Sequence, residues 1–208
     1  MSIRENARKP GMKKWITTLL LCAAGIAINF LGAQLALRLQ LPLYLDCIGI
    51  IAVSAVGGYI PGIAVGFFTN VINGLSDSMT IYYSLTSVLI AIWAAECARR
   101  GFLRRFPQIL AAIGGFVLIG GGIGSVLTWM LYGGGIGEGI SATMAHAIYD
   151  QGVLGMFLSQ LLADLLVDIP DKILSTLAAV ALVSAPLFLV FVFLRKYIMA
   201  GVSRSGIK

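Results

Sequence analysis

Apolar residues fall in long runs broken by short polar stretches. The runs cover roughly 15–37, 43–56, 60–75, 81–98, 107–132 and 172–194, and a further stretch at 153–169 mixes apolar and acidic residues. At about 1.5 Å per residue, the run from Trp15 to Leu37 is long enough to cross a hydrocarbon layer about 30 Å thick. A secretory leader has a shorter apolar stretch ending in a cleavage site, so this run reads as a retained helix. Runs 43–56 and 60–75 are short for a crossing, and Gly57, Gly58, Pro61 and Gly62 interrupt the chain between them. They are either short tilted helices or a re-entrant hairpin. Both options return the chain to the same side before 81–98, and the first gives six crossings in all.

In the mixed stretch, Leu154, Leu158, Leu161, Leu162 and Leu165 recur at helical spacing while Gln160, Asp164 and Asp168 mark a polar edge. Letting it span would reverse the side of the chain's basic end, so it predicts an amphipathic lid helix folded over the outer mouth of the bundle. Pro170 then opens the last helix at a first-turn position, where Asp171 suits the positive end of the helix dipole.

Composition agrees with this pattern. Of 208 residues 59% are hydrophobic and 12% charged, with mean hydropathy +0.94. One soluble core cannot hide so much apolar side chain, so lipid must cover it. The fold expected is an all-α integral membrane protein. It is a single membrane domain over 1–208, with tails at 1–14 and 195–208 and a six-helix bundle at 15–194 whose second and third helices are short.

Charge then orients the bundle. A net charge of +6 would point to nucleic acid in a soluble domain, but here the bases lie at the margins of apolar runs. Five Lys and Arg precede Trp15, four lie in 99–105, four follow Leu194, and only Arg38 and Lys172 remain. The positive-inside rule places both termini and the 99–105 loop in the cytoplasm of a multi-pass plasma-membrane protein. Asp46, Asp77, Glu138, Asp150, Asp164, Asp168 and Asp171 then fall outside. That excess favours a neutral or cationic solute over a phosphorylated one. The fourteen residues after Leu194 hold no kinase, cyclase or ATPase module, so energy or signalling is expected from a separate polypeptide.

Several polar positions are candidate contacts. Asp46, after Leu41-Pro42-Leu43-Tyr44-Leu45, either caps the next helix or faces a water-filled cavity. Thr69, Asn70, Asn73 and Asp77 include one helical face, which serves either helix–helix hydrogen bonding or a solute. Tyr82, Tyr83, Trp129 and Tyr132 lie near the outer interface as membrane anchors, although a flat solute would stack on such rings. Asp168 and Lys172 stand four apart, around Pro170, and either hold the last helix or meet a solute. His146 and Asp150, in the 133–152 loop expected to lid the bundle, are too few for a metal site. Gly120, Gly121, Gly122 and Gly124 imitate a nucleotide loop inside an apolar run, where close helix packing explains them better. Cys22, Cys47 and Cys97 form neither a metal nor a disulfide pattern. No nucleophile set or pair of catalytic acids is evident, so no enzyme, cofactor or metal is expected.

Leu41-Pro42-Leu43-Tyr44-Leu45-Asp46-Cys47-Ile48-Gly49, the Gly57-Gly58-Tyr59-Ile60-Pro61-Gly62 turn with Gly66, Thr69-Asn70, and Asp168-Ile169-Pro170-Asp171-Lys172 carry a family likeness. From about 15 to 194 the chain resembles the substrate-binding S component of energy-coupling factor vitamin transporters, with the riboflavin-type branch nearest. The resemblance implies a membrane-embedded protein that captures a vitamin or similar micronutrient from outside. It also implies partners: a transmembrane coupling protein and two cytoplasmic ATPase subunits. Ala23 and Ala27 stand at the spacing of the family's helix contact with the coupling protein. The expected solute contacts are Asp46, Asn70, Asn73, Tyr82, Tyr83, Asp168 and Lys172. Two other classes remain open, namely a membrane sensor or interaction subunit without transport, and a self-sufficient carrier or channel.

Overall fold

The computed structural model describes the backbone of residues 12–204 and the side chains of Met12 and of 15–185. The described residues are helical and contain no strand. In chain order the helices are α1 (Met12–Arg38), α2 (Ile48–Gly57), α3 (Tyr59–Asn73), α4 (Ser84–Arg99), α5 (Phe106–Val117), α6 (Gly124–Leu131), α7 (Ile140–Tyr149) and α8 (Met156–Arg204). A short 3-10 turn, Ser78–Ile81, precedes α4, and a π turn, Leu118–Ile123, joins α5 to α6 without a break.

Three stretches, Trp15–Arg38, Ser78–Arg99 and Phe106–Leu131, are long and apolar enough to cross a membrane. Their surfaces are those of membrane helices. Leu19, Leu20, Leu31 and Leu37 of α1 are all more than 60% exposed, a density of uncovered apolar side chains that water does not tolerate. Ala23 and Ala27 lie on the exposed side of this helix.

The short α2 sits at the centre. It packs on α1, α3, α4 and α8, and its Ile50 and Ile51 are fully buried with Val65, Ile90 and Phe116. A helix apolar on every side needs such an enclosed position. Gly58, at φ +80°, ends α2 and begins α3 in one residue, a conformation that glycine adopts without Cβ strain. Pro61 and Gly62 do not interrupt the chain as the sequence led us to expect, because both fall inside α3. Pro61 is in the first turn, where no intrahelical partner awaits its missing N–H. At the hairpin tip, Tyr59 donates its hydroxyl hydrogen to Glu96, which also pairs with Arg99 and Arg100. The tip is therefore level with the last turn of α4.

Two expectations about the second half are corrected. The 133–152 segment is not simply a loop, since it contains α7, which packs along α8. Nor is 153–169 a separate lid across the mouth: one helix runs unbroken from Met156 through Pro170 to Arg204, past the bundle end expected at 194. Asp171 is accordingly not a first-turn residue. Leu158, Leu162, Leu166, Ile169 and Ile173 point outwards, while Gln160, Asp168, Asp171, Lys172, Ser175 and Thr176 are buried. In lipid the apolar face seeks the exterior and polar groups seek each other inside, which removes the reason to fold the stretch over the mouth. Pro170 is exposed, and the polar ladder on the opposite face of the helix is buried on either side of it.

Candidate functional site

The start of α4, the end of α3, the end of α6 and the first half of α8 converge at the end of the bundle opposite the 99–105 loop. They enclose a cavity of about 490 Å³, within the range of about 300–1,000 Å³ usual for small-molecule sites. The side of the cavity formed by α8 is a polar ladder made possible by helical spacing. Gln160, Asp164, Asp168 and Lys172 follow each other every fourth residue, so all four project from one face.

Each rung has partners. Gln160 accepts from the backbone N–H of Gly137 at 3.0 Å and donates to Asp164 Oδ1 at 2.8 Å and to Ser141 Oγ at 3.3 Å. It thereby ties the approach to α7 and α7 itself to α8. Asp164 Oδ2 accepts from Ser125 at 2.8 Å. Lys172, only 3% exposed, donates to Asp171 Oδ2 at 2.7 Å and to Asp168 Oδ1 at 3.4 Å, with its Nζ 6.0 Å from the centre of the Tyr44 ring. A buried ammonium without such acceptors would be prohibitively desolvated.

The facing glycines allow this ladder to approach. A Cβ on Gly120 would run into Asp168 Oδ2 and Lys172 Cε, and one on Gly121 would meet Leu165. Gly120 and Gly121 thus serve close packing, as their place in an apolar run implied, whereas Gly122 and Gly124 face open space. The π turn occupies Leu118–Ile123, and its wider coil presents Gly120 to the cavity.

Of the seven expected solute contacts, six line the cavity: Asp46, Asn70, Asn73, Tyr83, Asp168 and Lys172. Tyr82 does not. It is 58% exposed and turned out of the bundle, the position of an interfacial anchor. Asp46 does not cap α2, and Cys47 at the N-cap position makes no side-chain cap bond; the Asp46 Oδ1 accepts from the Cys47 thiol at 3.1 Å. Asn70 spends both amide hydrogens on the bundle, donating to Gly66 O at 3.0 Å and Ser87 Oγ at 2.7 Å, so only its oxygen is free to meet a solute. Asn73 reaches the cavity one turn later. Tyr83 donates to Thr128 Oγ1 at 2.7 Å, because the Thr128 hydrogen is already directed to Gly124 O.

Sequence reading missed a second tier. Asn29 is completely buried, accepting from Gly49 N at 2.6 Å and donating to Thr69 Oγ1 at 3.1 Å, so that it joins α1 to α2 and α3. Its signal was present, an amide in the middle of an apolar run, where polar groups need internal partners. Asp171, Tyr44, Ser125, Thr128, Ser141 and Gln160 gave weaker signals, since their roles depend on contacts between distant elements. His146 and Asp150 are exposed, and no metal-holding group of His, Cys, Asp or Glu occurs among the described residues.

Comparison with protein-family models, curated proteins and solved structures finds no match.

Proposed function

We propose that the chain is the membrane-embedded solute-capturing subunit of an energy-coupling-factor-type importer, taking a vitamin-like molecule from outside the cell. The observation that carries this reading is the cavity: a polar and aromatic chamber at the end of a lipid-facing bundle opposite the 99–105 loop. Beneath it Ile50, Ile51, Ala94 and Phe116 are packed without exposure, which weighs against an open channel. Six crossings fit the geometry. The Tyr59–Glu96 bond carries the α2–α3 hairpin to the depth of the last turn of α4, and tilt or local thinning of the bilayer accommodates its short arms. The basic 99–105 loop then faces the cytoplasm and the cavity faces outward. Exposed Ala23 and Ala27 offer a close-packing strip on α1 for a coupling protein, and ATP hydrolysis belongs to partner subunits.

Reconstitution in liposomes tests the proposal. The chain with a coupling protein and an ATPase pair should accumulate the small molecule that co-purifies with it, in an ATP-dependent manner, whereas the chain alone should bind without accumulation. Flux through the chain alone would overturn the reading. Orientation is checked separately by labelling whole cells carrying Ser76→Cys or Arg104→Cys with an impermeant thiol reagent. Only the first should react.

A further inference from the structure

The charges lining the cavity are unequal: Asp46, Asp77, Glu138, Asp164 and Asp168 stand against Lys172 alone. Most of these acids already have partners. Asp77 Oδ1 accepts from Met79 N at 3.0 Å, Asp46 Oδ1 from Cys47, and both oxygens of Asp164 from Ser125 and Gln160. Asp168 differs. It is only 3% exposed, and its Oδ2 is a buried oxygen with no hydrogen-bond partner among the described residues. Lys172 does not neutralise it fully, because the ammonium sits closer to Asp171, at 2.7 Å against 3.4 Å. A buried carboxylate oxygen left without a donor costs free energy that a bound donor would recover.

We infer that the captured solute carries a cationic hydrogen-bond-donating group, an ammonium or amidinium on a small ring system, which docks on Asp168. The inference rests on reading this cavity as the solute site, and it names the class of molecule that site accepts. Tyr83 and Tyr132 line the same cavity and offer ring faces and edges to the rest of the molecule. Asp168 Oδ2 packs against Gly120, where any side chain would strike the carboxylate.

The test uses the purified full-length chain with three ring scaffolds, indole, pyridine and pyrimidine. Each is supplied as a matched primary amine, alcohol and carboxylate, and calorimetry measures binding. On every scaffold that binds, the amine should exceed the alcohol by about tenfold or more, the range of a hydrogen bond to a charged group. Asp168→Asn should bring amine and alcohol to within about threefold, whereas Asp150→Asn, at an exposed acid outside the cavity, should keep the preference. Equal or tighter binding of the alcohols or carboxylates would overturn the inference, and so would the absence of amine binding at millimolar concentration. The wild-type ratio decides the matter even if Asp168→Asn does not fold. No partner subunit enters this assay, so failed ATP-dependent uptake would leave its result standing, and a failed amine preference would leave uptake standing.

Discussion

Asp171 accepts the backbone N–H of Leu45 at 2.7 Å across 126 residues of sequence, and the same Oδ1 accepts that of Tyr44 at 2.9 Å. Leu45 is held at φ +50°, a left-handed conformation that a leucine adopts only under external constraint. The carboxylate supplies that constraint, and its other oxygen takes Lys172. One buried group therefore fixes both the α1–α2 connection and the ammonium of the cavity wall.

Asp171→Ala should destabilise the protein by about 3–5 kcal/mol, because it leaves a buried cation short of its nearest partner. Asp171→Asn keeps an oxygen for the two N–H groups and should lose less. Thermal unfolding in detergent ranks the two, and equal midpoints for wild type and Asp171→Ala would refute the tether.

Gly120→Ala should leave the protein folded but sharply reduce solute retention, since its Cβ displaces Asp168 and Lys172. Gly122→Ala meets nothing within 4 Å and should retain solute as wild type does. Mass spectrometry of the co-purifying small molecule distinguishes the two.

Asn29→Ala removes an acceptor from Gly49 N and a donor from Thr69 at a fully buried position. The expected loss is about 1–3 kcal/mol for each polar group left unpaired. Denaturation of the solubilised protein checks it, and Asn29→Leu should be no better because Gly49 N stays orphaned.

Neighbouring tyrosines should separate cleanly. Tyr83→Phe loses the bond to Thr128 inside the cavity and should weaken solute binding several-fold, whereas Tyr82→Phe alters only an outward-facing ring. Calorimetric titration with the co-purified solute provides the comparison.

Much of the fold was readable because lipid enforces a simple rule. Continuous apolar runs gave α1, α4 and the α5–α6 span, and glycine punctuation gave the short α2–α3 hairpin. The reading fails in α8, where apolar and acidic residues at helical spacing predict a surface lid and the structure continues them into the last helix of the bundle. Periodicity alone does not say which solvent surrounds a helix. The candidate site was half legible. Asn70, Asn73, Asp168 and Lys172 stood out as polar groups in apolar surroundings, but Ser125, Thr128 and Ser141 are ordinary residues whose importance comes from neighbours far away in sequence. Tyr82 and Tyr83 could not be told apart, since adjacent residues on a helix point about 100° apart and only the assembled bundle shows which direction is inward.

The π turn at Leu118–Ile123 sets the angular phase of everything that follows it in the α5–α6 rod. Deleting one residue of α5, while the turn keeps its wide coil, would rotate the downstream residues by about 100°. Ser125 would swing away from Asp164 and Thr128 away from Tyr83, so the chamber would lose one wall although the rod kept its length and hydropathy. A wide coil and a regular α turn differ by about one residue over the same span, which makes these six residues the indexing notch of the molecule.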